Sequence, residues 1–110
     1  MTRIDKKYLY DISSAIHTIL NHFLNGVDTY EAFEADAKTR AAVERMLMII
    51  GEALLKLQRS GIHFSVGDQM INRRNTIVHQ YDAYNPETIW LSIHQELPLL
   101  KKEVDQQMKS

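Results

Sequence analysis

The sequence contains no cysteine, only two prolines and only four glycines among its 110 residues. Without cysteine, the chain cannot form disulfides, thiolate metal sites or a cysteine nucleophile. Strand-like alternation does not persist anywhere, and apolar residues recur every three or four positions instead. These features predict an all-α fold.

A long apolar run is also missing, since no stretch approaches the roughly 18–20 residues that a membrane span needs. The N-terminus is charged from Arg3 onward and lacks the apolar stretch of a signal peptide. We therefore expect no contact with a membrane and a cytoplasmic location.

Neither sign of charge is in excess, because 13 basic residues oppose 14 acidic ones and the formal net charge is −1. Proteins that hold nucleic acid by non-specific electrostatics usually carry a basic excess. Any contact with nucleic acid would therefore have to come from a local patch.

The length of the chain suits one domain spanning residues 1–110, whose small core would benefit from a partner subunit. Four main helices and one short helix, joined by short loops, predict an antiparallel up-and-down bundle. The first three predicted helices cover residues 4–23, a short piece near 30–33 capped by Asp28, and residues 39–58. The fourth runs from 65 or 68 to about 79–81. The last helix starts at Asn85-Pro86 and is kinked by Pro98.

The helix predicted over residues 39–58 is apolar around most of its circumference. Such a helix should be central in the fold or lie at a subunit interface. Gly51 lies in its middle, where glycine costs about 1 kcal/mol relative to alanine unless another element packs closely. We therefore predict a close helix–helix contact at Gly51.

Two adjacent arginines in the next helix are not equivalent. At 100° per residue, Arg74 falls in the middle of the apolar stripe that Met70 and Ile77 define, whereas Arg73 falls on the opposite face. Arg73 is therefore predicted to be an ordinary solvated charge. A charge at Arg74 is costly unless it is paired or faces a cleft. Glu52 is the predicted salt-bridge partner of Arg74. A catalytic role for Glu52 is the less favoured alternative.

His79 lies about one turn beyond Arg74 and stacks with Asn75 on the flank of the apolar stripe. Arginine offers a fork for phosphate, and histidine can move a proton near neutral pH. Together they could cleave a phosphodiester without a metal ion or a cofactor. On spacing alone, a structural salt bridge or a capping role is the more common explanation of such a pair.

The other histidines give no sign of a metal site. His17 and His22 are five residues apart, and His63 and His94 are isolated. None of them forms an i,i+4 pair with a carboxylate between, as a helical zinc site would require. We expect these four to be surface or packing residues.

The stretch Arg74-Asn75-Thr76-Ile77-Val78-His79 resembles the Arg-x4–6-His signature of HEPN domains, and Tyr81 completes the Arg-x4-His-x-Tyr form typical of HepT-like toxins. Two flanking blocks are also similar to that subfamily: residues 42–57, with Gly51-Glu52-Ala53, and residues 89–100, with Ile89-Trp90 and Leu97-Pro98-x-Leu100. The likeness covers nearly the whole chain in the right order. It departs from the usual pattern at His63-Phe64 and at Asp82, which leaves the preferred substrate open.

The resemblance implies a HEPN-like helical bundle that forms a homodimer, with a higher assembly left open. Arg74 and His79 of both subunits would face one cleft as the catalytic residues of a metal-independent endoribonuclease toxin. Asn75 would position the site. The implied partner is an antitoxin that resembles a minimal nucleotidyltransferase of the MntA type and transfers AMP onto Tyr81.

Two alternatives remain open at this stage. The chain could be a non-catalytic HEPN-like module that binds a nucleotidyltransferase or only dimerises. It could also be a plain structural helical dimer, which would require Arg74 to be fully paired and closed to solvent.

Overall fold

The computed structural model describes residues 1–79 and 85–109, and six α-helices make up most of these residues. In chain order the helices are α1 (Arg3–Thr18), α2 (Tyr30–Ala35), α3 (Ala37–Arg59), α4 (Gly67–His79), α5 (Pro86–Gln95) and α6 (Leu97–Met108). The end of α1 continues as a π-helical turn over Ile19–Phe23. Strands are absent from the described part of the chain, and the predicted all-α bundle is confirmed.

Helix α1 begins with a reciprocal cap between Thr2 and Asp5, in which each side chain accepts a hydrogen bond from the other residue's N–H, at 3.0 and 3.1 Å. Leu9 and Ile12 continue the same face and are completely buried. The spacing of Ile4, Tyr8 and Ile12 predicts that Ile4 belongs to this row, but 63% of Ile4 is exposed. Asp5 lies four residues before Leu9 and therefore occupies the buried face of the helix one turn earlier, so Ile4 is rotated toward solvent.

The caps of α2 and α3 differ slightly from the prediction. Thr29, not Asp28, caps α2, because its hydroxyl oxygen accepts a hydrogen bond from the N–H of Ala32 at 3.1 Å. Asp36 caps α3 by accepting from the N–H and the hydroxyl of Thr39 at 3.0 and 2.6 Å. Helix α3 therefore begins at Ala37, two residues before the predicted start.

Helix α3 is central and packs chiefly against α4 on one side and α1 on the other. Its apolar stripe is buried in the core together with residues of α1 and α6. The core residues of α3 are Val43, Leu47, Ile50, Ala53, Leu54 and Leu57. This arrangement confirms that the helix is central.

The C-terminal segment forms two helices where the sequence predicted one kinked helix. Asn85 caps α5 and Pro86 occupies its first turn, as predicted. Helix α5 ends at Gln95, and α6 starts at Leu97 with Pro98 in its first turn. Proline lacks an N–H and its ring clashes with the preceding turn, and here the chain breaks the helix rather than bending it. Ile93, Leu97, Leu100 and Val104 still form one buried seam.

Within residues 1–79 and 85–109, helices that are both long enough and apolar enough to cross a lipid bilayer are absent.

Candidate active site

Arg74 lies where α4 crosses Gly51 of α3. A β-carbon built onto Gly51 would lie 2.3 Å from Cβ of Arg74 and 2.8 Å from its Cγ. Only glycine leaves room for the arginine side chain at this crossing. The close contact predicted at Gly51 is therefore confirmed, and its neighbour in the other helix is the arginine of the sequence motif.

The guanidinium of Arg74 is held by two side chains. Its Nη2 donates to Oε1 of Glu52 at 3.0 Å, and its Nη1 donates to Oδ1 of Asn75 at 2.9 Å. Nε of Arg74 is buried and has no hydrogen-bond partner within the described residues. The ion pair expected between Glu52 and Arg74 is present, and Asn75 contacts the same guanidinium. The catalytic and positioning roles of these residues stay predictions.

A cleft of about 170 Å³, the α3–α4 cleft, opens beside the guanidinium. It is lined by Arg45, Met48, Ile49, Glu52 and Arg74. The side chain of Arg74 is 24% exposed and that of Glu52 is 59% exposed. Arg74 is therefore not closed to solvent, which the plain structural reading would have required.

His79 is the last described residue of α4 and is exposed. It follows Arg74 by five residues, so both side chains depend on the same helix for their placement. Tyr81, the predicted modification target, lies outside the described residues, as does Asp82. The structure thus brings Glu52, Arg74 and Asn75 into contact and places His79 at the end of their helix.

Arg73 does not behave as predicted. The sequence indicated a solvated charge, but Nη2 of Arg73 lies 3.4 Å from Oε2 of Glu96, with side chains only 26% and 16% exposed. Ser92, itself buried, donates to Glu96 and lies 3.5 Å from the sulfur of Met70. The prediction was wrong because Glu96, at the junction of α5 and α6, lies within reach of Arg73.

The remaining histidines are separate from this site. His17 and His22 have ring centroids 5.4 Å apart, and His94 packs edge-on against Trp90 at 4.3 Å. Within the described chain, His, Cys, Asp and Glu side chains do not form any group of three or more that could hold a metal ion.

Arg45 is the residue of the cleft that the sequence reasoning did not single out. Its spacing could have identified it, because Arg45 precedes Glu52 by seven residues, which is two turns along one helix face. Arg45 and Glu52 therefore face the same side of α3.

Comparison with known proteins gives one family. Residues 12–107 match the family model described as "Ribonuclease HepT-like". The "Probable ribonuclease HepT" of Thermococcus cleftensis is 30% identical over 112 residues, which cover 99% of this chain and all of the relative. The protein of Methanocaldococcus jannaschii named "Putative RNase MJ0125" is 33% identical over 110 residues, covering 94% of this chain and 90% of that protein.

No solved structure gives a significant match. The family model nevertheless spans most of the chain and includes α3, α4 and the motif from Arg74 to Tyr81. The chain belongs to the HepT-like ribonuclease family.

Proposed function

We propose that the protein is a metal-independent endoribonuclease toxin of a toxin–antitoxin system, with Arg74 and His79 as its catalytic residues. One observation carries the proposal. In a chain of the HepT-like ribonuclease family, the motif arginine borders an open cleft, held by Glu52 and Asn75, on the helix that ends at His79.

The chemistry needs only groups that these residues supply. The ribose 2′-hydroxyl attacks the adjacent phosphorus and loses its proton, while the bond to the 5′-oxygen of the next nucleotide breaks and that oxygen gains a proton. An imidazole can accept the first proton or donate the second, since its ordinary pKa is close to neutrality. Arg74 would stabilise the additional negative charge on the phosphoryl oxygens as the transition state forms.

A homodimer supplies both proton-transfer groups. Cleavage needs two groups, a general base and a general acid, but the motif of each protomer contains one histidine, His79. A two-fold axis beside the α3–α4 cleft would bring a second Arg74–His79 pair to the same RNA, because a two-fold interface pairs a surface with its own copy. Met46 of α3 is only partly buried, does not line the cleft and would form part of that interface.

The proposed regulator is a nucleotidyltransferase antitoxin of the MntA type that transfers AMP to the hydroxyl of Tyr81. Tyr81 follows His79 by two residues, so an adduct would lie near the proposed catalytic histidine. Its phosphate would repel the RNA backbone, and its bulk would obstruct the cleft. A Tyr81→Phe variant should still cut RNA but escape the antitoxin. Silencing of that variant by the antitoxin to the same extent as wild type would contradict the modification site.

The test of the nuclease is cleavage of purified tRNA and of single-stranded RNA in the presence of a chelator. Wild type should cut, whereas His79→Ala and Arg74→Ala should lose at least about 100-fold in rate, as expected for a missing acid–base group or charge stabiliser. His17→Ala is the matched control, because His17 is an exposed histidine of α1 whose side chain contacts Asn21 and His22 and does not line the cleft. Cleavage that survives His79→Ala unchanged would refute the role of His79.

A second candidate is a non-catalytic HEPN-like partner that binds or dimerises with a nucleotidyltransferase. The observation in its favour is that both terminal nitrogens of Arg74 already bond within the chain, to Glu52 and Asn75. Stable co-purification with the nucleotidyltransferase, together with no RNA cleavage at any protein concentration, would favour this function.

A further inference from the structure

The α3–α4 cleft contains a second arginine, Arg45, on the helix opposite Arg74. Arg45 lies two turns before Glu52 on the same face of α3, about 10 Å away along the helix axis. Met48 and Ile49 lie between them and form an apolar floor. The cleft therefore has one cation near each end and an apolar surface in the middle.

The two arginines differ in their partners. Arg74 bonds to Glu52 and Asn75, whereas Arg45 is exposed and has neither a hydrogen bond nor an ion pair with any residue of 1–79 and 85–109. With Glu52 as the single carboxylate among its lining residues, the cleft has a formal charge of +1 on a protein whose total is −1. The cleft is thus a local cationic patch, which RNA binding requires in a protein whose net charge is negative.

We propose that Arg45 binds a phosphate of the RNA strand next to the scissile one. This rests on the proposed function, since it takes the phosphate at Arg74 as the one that is cleaved. Arg45 lies about 10 Å along the axis of α3 from Glu52, the ion-pair partner of Arg74, so one phosphate would have to span that distance to meet both arginines. A flanking phosphate at Arg45 avoids Glu52 and leaves the intervening ribose and base over Met48 and Ile49. Arg45 is accordingly a substrate-binding residue and takes no part in proton transfer.

The test compares Arg45→Ala, Arg45→Lys and Arg45→Glu with wild type on a short single-stranded RNA at several salt concentrations. We expect KM to rise on the order of tenfold for the alanine variant, the size of one lost charge-assisted hydrogen bond, while kcat stays within about twofold. Lysine should recover part of the loss, and glutamate should exceed it. The slope of log(kcat/KM) against log salt should become shallower by about 0.7, as one phosphate contact on a single strand predicts.

Arg59→Ala is the matched control, because Arg59 is an exposed arginine of the same helix that does not line the cleft. It should leave both KM and the salt dependence unchanged. Equal effects of Arg45→Ala and Arg59→Ala would overturn the proposal, because the loss would then reflect net charge alone. A fall in kcat at constant KM would also overturn it. Dissociation of the dimer by Arg45→Ala would assign Arg45 to the subunit interface instead.

A binding measurement separates this proposal from the nuclease activity. The affinity of the same RNA is measured by fluorescence anisotropy in a His79→Ala background, with and without Arg45→Ala. If wild type cuts RNA but Arg45→Ala neither weakens binding nor changes its salt dependence, only the inference on Arg45 fails. If wild type binds RNA without cutting it, the proposed activity fails while the binding data still decide on Arg45. Absence of RNA binding by wild type would refute both.

Discussion

Gly51 and Arg74 are in direct contact across the α3–α4 crossing, so closely that a β-carbon at position 51 would lie 2.3 Å from Cβ of the arginine. Both atoms would be at the rigid base of their side chains, so rotamer changes could not relieve the clash. The distance between the two helices is therefore set at the residue that the proposed reaction depends on.

Gly51→Ala should push α4 away from α3. Overpacking of this kind destabilises the fold by about 1–3 kcal/mol. Alanine's better helix propensity stabilises the helix by about 1 kcal/mol, so the net effect should be destabilising over most of that range. We expect a lower midpoint in urea unfolding and at least a tenfold loss of RNA cleavage. Gly67→Ala is the control, because its β-carbon would meet only Nε2 of Gln58, at an ordinary 3.5 Å. Equal behaviour of the two variants would contradict the contact.

Glu52→Ala should reduce activity far more than stability. The ion pair with Arg74 is partly solvated, with Glu52 59% exposed, so its loss should cost no more than about 1 kcal/mol of unfolding free energy. The freed guanidinium would lose its orientation, which we expect to lower kcat on the order of 10- to 100-fold. Glu52→Gln retains an acceptor oxygen for Nη2 and should keep more activity than alanine. A Glu52→Ala protein with full kcat would show that the pair does not position Arg74.

Glu96→Ala should destabilise the fold, because it leaves the mostly buried Arg73 without its counter-charge. The expected loss is on the order of 2 kcal/mol, between the values for exposed and fully buried pairs. Replacing both partners, in Arg73→Met with Glu96→Leu, should restore much of that stability, since no charge is then left unpaired. Lys7→Ala removes an ion pair whose lysine is 68% exposed and should change the urea midpoint very little. A larger effect of Lys7→Ala than of Glu96→Ala would contradict this account.

Acid should weaken the N-terminal caps. The N–H of Thr2 lowers the pKa of Asp5, and the Thr39 hydroxyl lowers the pKa of Asp36. A carboxyl whose pKa is lower in the folded chain stabilises it above the unfolded pKa of about 4, and this contribution is lost as pH falls through the folded value. Thermal unfolding measured from pH 6 downward should therefore show a falling midpoint below about pH 4. In Asp36→Asn, whose amide still caps α3, the fall should be smaller, and an identical pH profile would contradict the assignment.

Much of this arrangement could be predicted from the sequence because it depends on local spacing. The helical periodicity indicated α3 as the central helix, Gly51 as a close contact and Glu52 as the partner of Arg74. The Asn85-Pro86 start of α5 likewise follows from local capping preferences.

The error at Arg73 arose from a contact made by a distant part of the chain. A wheel drawn for α4 alone assigns one apolar stripe to the core and the rest to solvent, so Arg73 was placed in water. Nothing in that segment reveals that Glu96, at the junction of α5 and α6, lies in reach of Arg73. The importance of Arg45 was missed for a related reason, since a cleft is formed by two helices and is not visible in the pattern of either one.

The neighbouring residues Arg73 and Arg74 connect α4 to two different parts of the fold. Arg74 connects the helix to α3 through Glu52, and Arg73 connects it to the α5–α6 junction through Glu96. Turning α4 about its own axis would therefore stretch both ion pairs together. A change that draws Glu96 away from α4 would therefore leave Glu52 as the ion-pair partner of these two arginines within the described residues.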